Sequence, residues 1–178
     1  MNFFPAYFSR IATCIDSVDL ECLSQVSRQM VEVSERGGKV ILVGNGGSAA
    51  MASHVAVDLT KIGGVRAVNF NEADLITCLA NDYGYEHWVE HALELYADPV
   101  DLVVLISSSG RSSNIVNGAH KAKQMKIPLI TFSGFDIDNP LCKLGEHNFW
   151  ANSSEYNIVE MTHHVWLVAL VDNLAADK

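Results

Sequence analysis

No stretch of this sequence is apolar over a length that would span a bilayer, so nothing in it predicts a transmembrane helix. The first segment, "MNFFPAYFSRIATC", is apolar, but it carries Pro5 and Arg10 and lacks a basic leader followed by a cleavage site. We therefore interpret it as mature structure rather than as a signal peptide, and we expect no association with a membrane.

Close pairs of cysteines are also missing. Cys14, Cys22, Cys78 and Cys142 are scattered along the chain, and their spacing predicts neither a disulfide framework nor a zinc site made of thiolates. Isolated cysteines of this kind are typical of reduced, mostly buried thiols. We therefore expect the protein to be cytoplasmic.

Basic residues are scarce as well. The chain has 12 Lys and Arg against 21 Asp and Glu, which gives a formal net charge of −9. Binding to nucleic acid depends on a surplus of Lys and Arg that neutralises phosphates, so we expect no nucleic-acid partner. The charge does not exclude a small anionic ligand, because backbone N–H groups can bind an anion locally.

Linkers, low-complexity segments and repeats are absent too, and 178 residues suit a single domain with a hydrophobic core. Residues 1–37 predict two helices, and residues 38–178 predict an α/β core in which short β-branched runs alternate with helical segments. The predicted strands are "KVILVG", "RAVNF", "DLVVLIS", "IPLITFSG" and "HNFWAN". This alternation predicts a parallel sheet with helices on both faces, whose ligands bind at the edge where the strands end.

The two N-terminal helices have two possible positions. Asp19 is a plausible N-cap of the second helix, and Gly37 and Gly38 are a plausible stop. The pair could cover the sheet of this chain or pack against another copy of it. The apolar start "MNFF" favours the second position, so we expect these helices to serve oligomerisation.

The segment "VGNGGSAAMASH" joins the first predicted strand to a helix. Asn45, Gly46 and Gly47 allow a sharp turn with inward-pointing N–H groups, and Ser48 then begins a helix whose N-terminus carries partial positive charge. These features predict a phosphate-binding loop. The stretch also fits the dinucleotide pattern G-x-G-x-x-G/A, with Glu72 as a possible ribose-binding acid, and a tight turn without a ligand is a third interpretation.

A second loop, "ISSSGRSSN", follows another predicted strand and again opens a helix. It offers four hydroxyl groups around Gly110, from Ser107, Ser108, Ser109 and Ser112. Alone, it would be interpreted as a solvated turn with a serine N-cap. Together with the first loop it favours a sugar-phosphate site over a dinucleotide site, because a dinucleotide fold needs no such serine loop.

In this order and spacing, "GNGGSAAMASHVAVDLT", "NDYG" and "ISSSGRSSNIV" resemble the sugar isomerase (SIS) domain family and, within it, the phosphoheptose isomerases. The resemblance covers nearly the whole chain. It implies a flavodoxin-like, five-stranded parallel sheet between helices and a homotetramer with active sites at subunit interfaces. It also implies conversion of sedoheptulose 7-phosphate into a manno-heptose 7-phosphate for bacterial lipopolysaccharide or capsule.

The resemblance also assigns candidate site residues. The catalytic carboxylate of the family lies ten residues beyond the loop serine, which corresponds to Asp58. His54 precedes Asp58 by four residues on the same predicted helix face, a spacing that suits two metal ligands and equally an ordinary surface pair. Asn81 and Asp82, in "NDYG", match the family, and the resemblance implies that they hold sugar hydroxyls, whereas the residues alone also fit a helix C-terminal cap.

The last predicted helix departs from the family. Its catalytic members carry a Gln there and a His eight residues later, which complete a zinc site, but Val159 and Leu167 stand at these positions. Residues 159, 163 and 167 share one helix face. We therefore predict that His163 faces Asp58 and His54 as a relocated acid/base or metal ligand.

Two further polar residues lie on this helix. The alternative to a catalytic His163 is that it and His164 are partly buried at a subunit contact. Glu160 matches a carboxylate of the family and is a third candidate catalytic residue, beside Asp58 and His163.

The sequence thus predicts a phosphosugar aldose–ketose isomerase that works by enediol proton transfer, with a divalent metal such as zinc as the candidate cofactor. A phosphorylated sugar, a heptose or a related compound, is the expected ligand. The alternative function is a sugar-phosphate sensor or protein-docking module that has lost catalysis together with the usual Gln and His.

Overall fold

The structure is a computed structural model, and it describes residues 2–176. Five β-strands form its sheet: β1 (Val40–Val43), β2 (Ala67–Asn69), β3 (Leu102–Ser107), β4 (Leu129–Gly134) and β5 (His147–Ala151). Seven α-helices accompany them: α1 (Phe3–Asp16), α2 (Leu20–Glu35), α3 (Gly47–Lys61), α4 (Ala73–Tyr83), α5 (Trp88–Tyr96), α6 (Ser113–Gln124) and α7 (Tyr156–Ala176). The predicted five-stranded α/β fold is confirmed.

All strand pairs are parallel, and the order across the sheet is β2-β1-β3-β4-β5. The chain runs from β1 outward to β2 and then returns to the other side of β1 to form β3. The connections after β1 and β3 therefore leave neighbouring strands in opposite directions. Such a switch point leaves a crevice at the carboxyl ends of the strands, where ligands bind in open α/β sheets. Both loops singled out in the sequence lie there.

Two apolar layers hold the helices against the sheet. α2, α3 and α7 cover one face, where they pack on Val40 and Leu42, and α4, α5 and α6 cover the other face, where they pack on Ile41 and Val43. Consecutive residues of β1 point to opposite faces and are all fully buried, which explains the continuous apolar run in the sequence. α3 and α7 pack against each other on the first face, and we call the surface along their contact, which carries His54, Asp58, Glu160 and His164, the groove.

Both N-terminal helices pack within this chain, the first of the two positions considered from the sequence. Asp19 caps α2 by accepting hydrogen bonds from the backbone N–H groups of Glu21 and Cys22, and α2 buries its apolar stripe in the core of this chain. α1 packs on α7 but leaves aromatic rings exposed at Phe3, Phe4 and Phe8. Within residues 2–176, no helix has the length and apolar composition needed to cross a bilayer.

Candidate active site

The loops after β1 and β3 meet in one small cleft. Its lining combines the serine hydroxyls of both loops with polar groups from the β1 loop and α7: Asn45, Ser48, Ile106, Ser107, Ser108, Ser109, Ser112, Tyr156 and Glu160. Ser48, in the first turn of α3, is almost completely buried. The structure thus brings together the hydroxyl groups that the sequence assigned to a phosphate site.

Gly46 and Gly47 shape the first loop rather than line the cleft. Gly46 has φ 53° and ψ −121°, a conformation that residues with a Cβ atom avoid. Gly47 begins α3, and a Cβ atom there would overlap the carboxylate of Glu160. The glycine therefore lets Glu160 lie directly against the positive end of α3.

Some hydroxyl groups of the serine loop already make hydrogen bonds within the loop. Ser107 Oγ donates to Ser112 Oγ at 3.1 Å, and the backbone N–H of Arg111 donates to Ser109 Oγ at 3.3 Å. Ser108 Oγ is buried and has no hydrogen-bond partner within residues 2–176. An unpaired buried hydroxyl costs free energy, so Ser108 offers a hydrogen bond to a ligand that enters the cleft.

Amide groups hold the two loops in place, and of these the sequence analysis singled out only Asn45. Asn45 and Asn114 exchange two side-chain hydrogen bonds of 2.9 Å, and Tyr85 donates to Asn45 Oδ1 at 3.0 Å. Asn71 pairs with both backbone groups of Gly44, at 2.8 and 3.3 Å. The only sequence signal was that Asn114 lies inside the quoted "ISSSGRSSNIV" stretch.

The other acid–base groups lie along the contact between α3 and α7. His54 Nε2 lies 3.0 Å from Asp58 Oδ2 on α3, and His54 Nδ1 lies 2.8 Å from Nε2 of His164 on α7. Burial, and then the nearby His54, lower the pKa of His164. Burial raises the pKa of Glu160, which favours the protonated form of its carboxyl group.

The structure contradicts the prediction that His163 faces His54 and Asp58. His163 is fully buried, its Nε2 donates to the backbone O of Ser133 at 2.8 Å, and burial lowers its pKa to about 4. Residues 159, 163 and 167 do share a face, but that face packs into the core.

The replacement of two polar residues by Val159 and Leu167 explains this arrangement. Both side chains are fully buried, in the same apolar layer as α3. A face with apolar side chains on either side of His163 gains free energy by burial against the sheet. The neighbouring face, with Glu160 and His164, is left to face the groove.

The predicted metal set of His54, Asp58 and His163 does not form. Both ring nitrogens of His54 are engaged by Asp58 and His164, and His163 points into the core. Within the described part of the chain, no group of three or more His, Cys, Asp or Glu is arranged to hold a metal ion. Tight zinc binding needs at least three such ligands, so these residues do not fit a resident zinc ion.

Asn81 and Asp82 lie apart from the cleft lining. Both side chains are exposed near the C-terminal end of α4, where Asn81 Nδ2 donates to Asp82 Oδ1 at 2.9 Å. They do not join the serine loops in this protomer.

Comparisons with known proteins identify the family of this chain. A family model described as "SIS domain" matches residues 4–134. A "Probable phosphoheptose isomerase" of Thermoplasma volcanium is 33% identical over 154 residues, 83% of this chain and 78% of that protein. A "Phosphoheptose isomerase" of Aliarcobacter butzleri is 34% identical over 149 residues, 79% of this chain and 78% of its own length.

Solved structures share the fold over the full length. A phosphoheptose isomerase from Neisseria gonorrhoeae superposes with a TM-score of 0.87 at 23% identity, covering 97% of each chain. One from Francisella tularensis gives 0.89 at 21% identity, covering 99% of this chain and 98% of that one. At sequence identities of 21–23%, these superpositions show only that the fold is shared.

Proposed function

The chain belongs to the SIS-domain family, and from this premise we propose that it is an aldose–ketose isomerase acting on a phosphorylated sugar. Its curated relatives are named as phosphoheptose isomerases, and the fold matches solved structures of such enzymes. These likenesses do not favour a binding module without catalysis. The observation in the structure that carries the proposal is a serine-lined cleft, with acid–base side chains on the two helices α3 and α7 that contribute to its lining.

The phosphate group of the sugar occupies the cleft between the two loops. Hydroxyl groups of Ser48, Ser107, Ser108, Ser109 and Ser112 supply donors, and the N-terminus of α3 supplies partial positive charge. No Lys or Arg lines this cleft among the described residues, so the binding depends on neutral donors and the helix end. An acidic protein can bind an anion in this way.

Asp58 is the base that moves the proton between the two reacting carbon atoms. Its Oδ2 accepts a hydrogen bond from His54, which leaves Oδ1 to take the proton from one carbon and return it to the next. Glu160 lines the cleft, burial raises its pKa, and we assign it a position beside a substrate oxygen. These proton transfers are assigned to side chains of this chain, and none is assigned to a metal.

Sedoheptulose 7-phosphate is the substrate we propose, since the named relatives are phosphoheptose isomerases. Its phosphate is at the opposite end of the chain from the carbonyl group, which suits a cleft and an acid–base groove that lie side by side. The product would serve the synthesis of surface polysaccharide, lipopolysaccharide or capsule.

Assembly and compartment belong to the same proposal. The exposed rings of α1 and the exposed Met161 and Val165 of α7 support burial against other copies, as in a homotetramer. Asn81 and Asp82 would then serve a site shared between subunits. Four free cysteines support a reducing compartment, the cytoplasm.

Two variants test binding and catalysis separately. Ser108→Ala removes a hydroxyl that is unpaired in the free protein, so it should leave stability intact and weaken sugar-phosphate binding by about 1–3 kcal/mol. Asp58→Asn should lower kcat by roughly 10²–10⁴-fold with binding retained. Calorimetry and a turnover assay on both variants check this. Unchanged affinity in Ser108→Ala would contradict the phosphate position, and unchanged kcat in Asp58→Asn would contradict the assigned base.

A further inference from the structure

The proposed reaction needs two kinds of proton transfer. One proton moves between neighbouring carbon atoms, and a second moves between the oxygen atoms bound to them. Asp58 accounts for the first transfer. The group expected for the second was His163, which is buried in the core with its Nε2 on a backbone oxygen. The groove therefore needs another side chain that can both take up and give back a proton.

His164 is placed to do this. Its ring meets the His54 ring edge to face, with centroids 5.0 Å apart, and the nitrogen atoms that face each other are 2.8 Å apart. The two histidines belong to different helices, 110 residues apart in sequence. A contact of this kind is specified by the packing of α3 on α7, so it differs from an ordinary surface pair on one helix.

The carboxylate of Asp58 sets the direction of the two hydrogen bonds that link Asp58, His54 and His164. An ionised Asp58 can only accept, so the proton between it and His54 is on His54 Nε2. Nδ1 of a neutral His54 is then an acceptor, and His164 must donate to it from Nε2. This leaves His164 Nδ1 unprotonated, and no hydrogen bond reaches it from the described residues. The chain of three side chains thus ends in a free proton acceptor.

His164 lies on the same side of α7 as the phosphate cleft. Glu160 lines the cleft, and His164 follows it by four residues, one helical turn or about 5.4 Å further along the axis. A sugar whose phosphate is held by the serine loop and which extends along this face brings its carbonyl end toward His164 and Asp58. No other histidine of the described residues lines the cleft or contacts the Asp58 and His54 pair.

We infer that His164 is a catalytic residue of this site, which exchanges a proton between the two substrate oxygens through its contact with His54. The inference rests on the proposed isomerase function. The hydroxyl proton of the substrate enters at His164 Nδ1, and the proton on His164 Nε2 passes to His54 Nδ1. Reversal of the same two transfers delivers a proton to the neighbouring oxygen, so both histidines return to their starting state. Asp58 holds the His54 ring in the tautomer that this exchange requires.

Three variants of the full-length protein test the inference. His164→Gln keeps an amide N–H that can donate to His54 but cannot exchange a proton, and His164→Ala removes the ring. His120→Ala, an exposed histidine on α6 away from the groove, is the matched control. We expect kcat for sedoheptulose 7-phosphate to fall by roughly 10²–10⁴-fold in both His164 variants, with the dissociation constant of the sugar phosphate unchanged. Added imidazole should restore part of the turnover in His164→Ala only.

The outcomes separate this inference from the function on which it rests. Parent-level kcat in His164→Gln would show that the residue only positions His54, which overturns the inference while the isomerase proposal stands. Lost sugar-phosphate affinity in both His164 variants, without a change in kcat, would overturn it as well. If the unsubstituted protein turns over no sugar phosphate, the proposed function fails and the inference fails with it.

Discussion

At the scale of single residues, the main finding concerns two adjacent histidines, of which His163 is buried in the core and His164 contacts His54. The helical period correctly grouped residues 159, 163 and 167 on one face, but it does not say which face of a helix is buried. The evidence was present in Val159 and Leu167, because two apolar residues on either side of His163 indicate a core face. The groove therefore receives His164, which no family pattern had singled out.

The buried His163 makes stability depend on pH. Its pKa is about 4 in the folded chain and about 6.5 when unfolded, so the unfolded state binds more protons between these values. This contribution is complete above pH 6.5 and is lost as the pH falls toward 4, by about 3 kcal/mol in total. His163→Gln, which keeps a donor for Ser133, should remove this part of the pH dependence.

Urea denaturation of the parent and of His163→Gln at pH 7 and near pH 4.5 measures the effect. The parent should lose stability relative to the variant at the lower pH. An equal difference between the two proteins at both values would show that His163 titrates normally and is not buried as described.

At the scale of elements, strands and helices followed from the sequence because local patterns specify them. Continuous β-branched runs became buried parallel strands, and Asp19 capped α2 as predicted. The meeting of the two loops also followed, since parallel strands end at one edge. The amide pair between Asn45 and Asn114 could not be predicted, because it depends on how α3 and α6 are placed across the switch point.

The contact between α7 and the start of α3 gives a second prediction. Gly47→Ala places a methyl group where the Glu160 carboxylate lies, and that flexible side chain can move away. Stability should change by no more than about 1 kcal/mol, whereas turnover should fall, by roughly 10²-fold if the displacement is about 1 Å. Ala50→Ser, an exposed position in the same turn of α3, is the control.

Steady-state kinetics and denaturation of both variants are the measurements. Normal turnover in Gly47→Ala would show that the position of Glu160 against α3 is not needed for the reaction.

At the scale of the whole molecule, the exposed rings of α1 raise the question of assembly. Three phenylalanines, Phe3, Phe4 and Phe8, are each more than half exposed in the single chain. The sequence indicated an apolar N-terminus. It could not show that the apolar stripe of α2 packs in the core of this chain while the phenylalanine rings of α1 stay exposed. A shared interface would bury these rings.

Phe8→Glu should weaken self-association, because burial of one such ring contributes about 1.5–3 kcal/mol, equivalent to tenfold or more in a dissociation constant. Ile137→Glu, an equally exposed apolar residue in the loop after β4, is the control. Sedimentation velocity at micromolar concentration should show smaller species for Phe8→Glu alone. A parent protein that sediments as a monomer would contradict the proposed tetramer.

The central claim is that this chain moves protons on a phosphorylated sugar and does not merely bind it. Its most direct test is to follow sedoheptulose 7-phosphate with the unsubstituted protein in D2O by NMR. Isomerisation through an enediol predicts the appearance of the aldose 7-phosphate, with deuterium from solvent incorporated at the reacting carbons as the base exchanges its proton. Binding of the sugar phosphate with neither aldose formation nor deuterium incorporation would contradict the account.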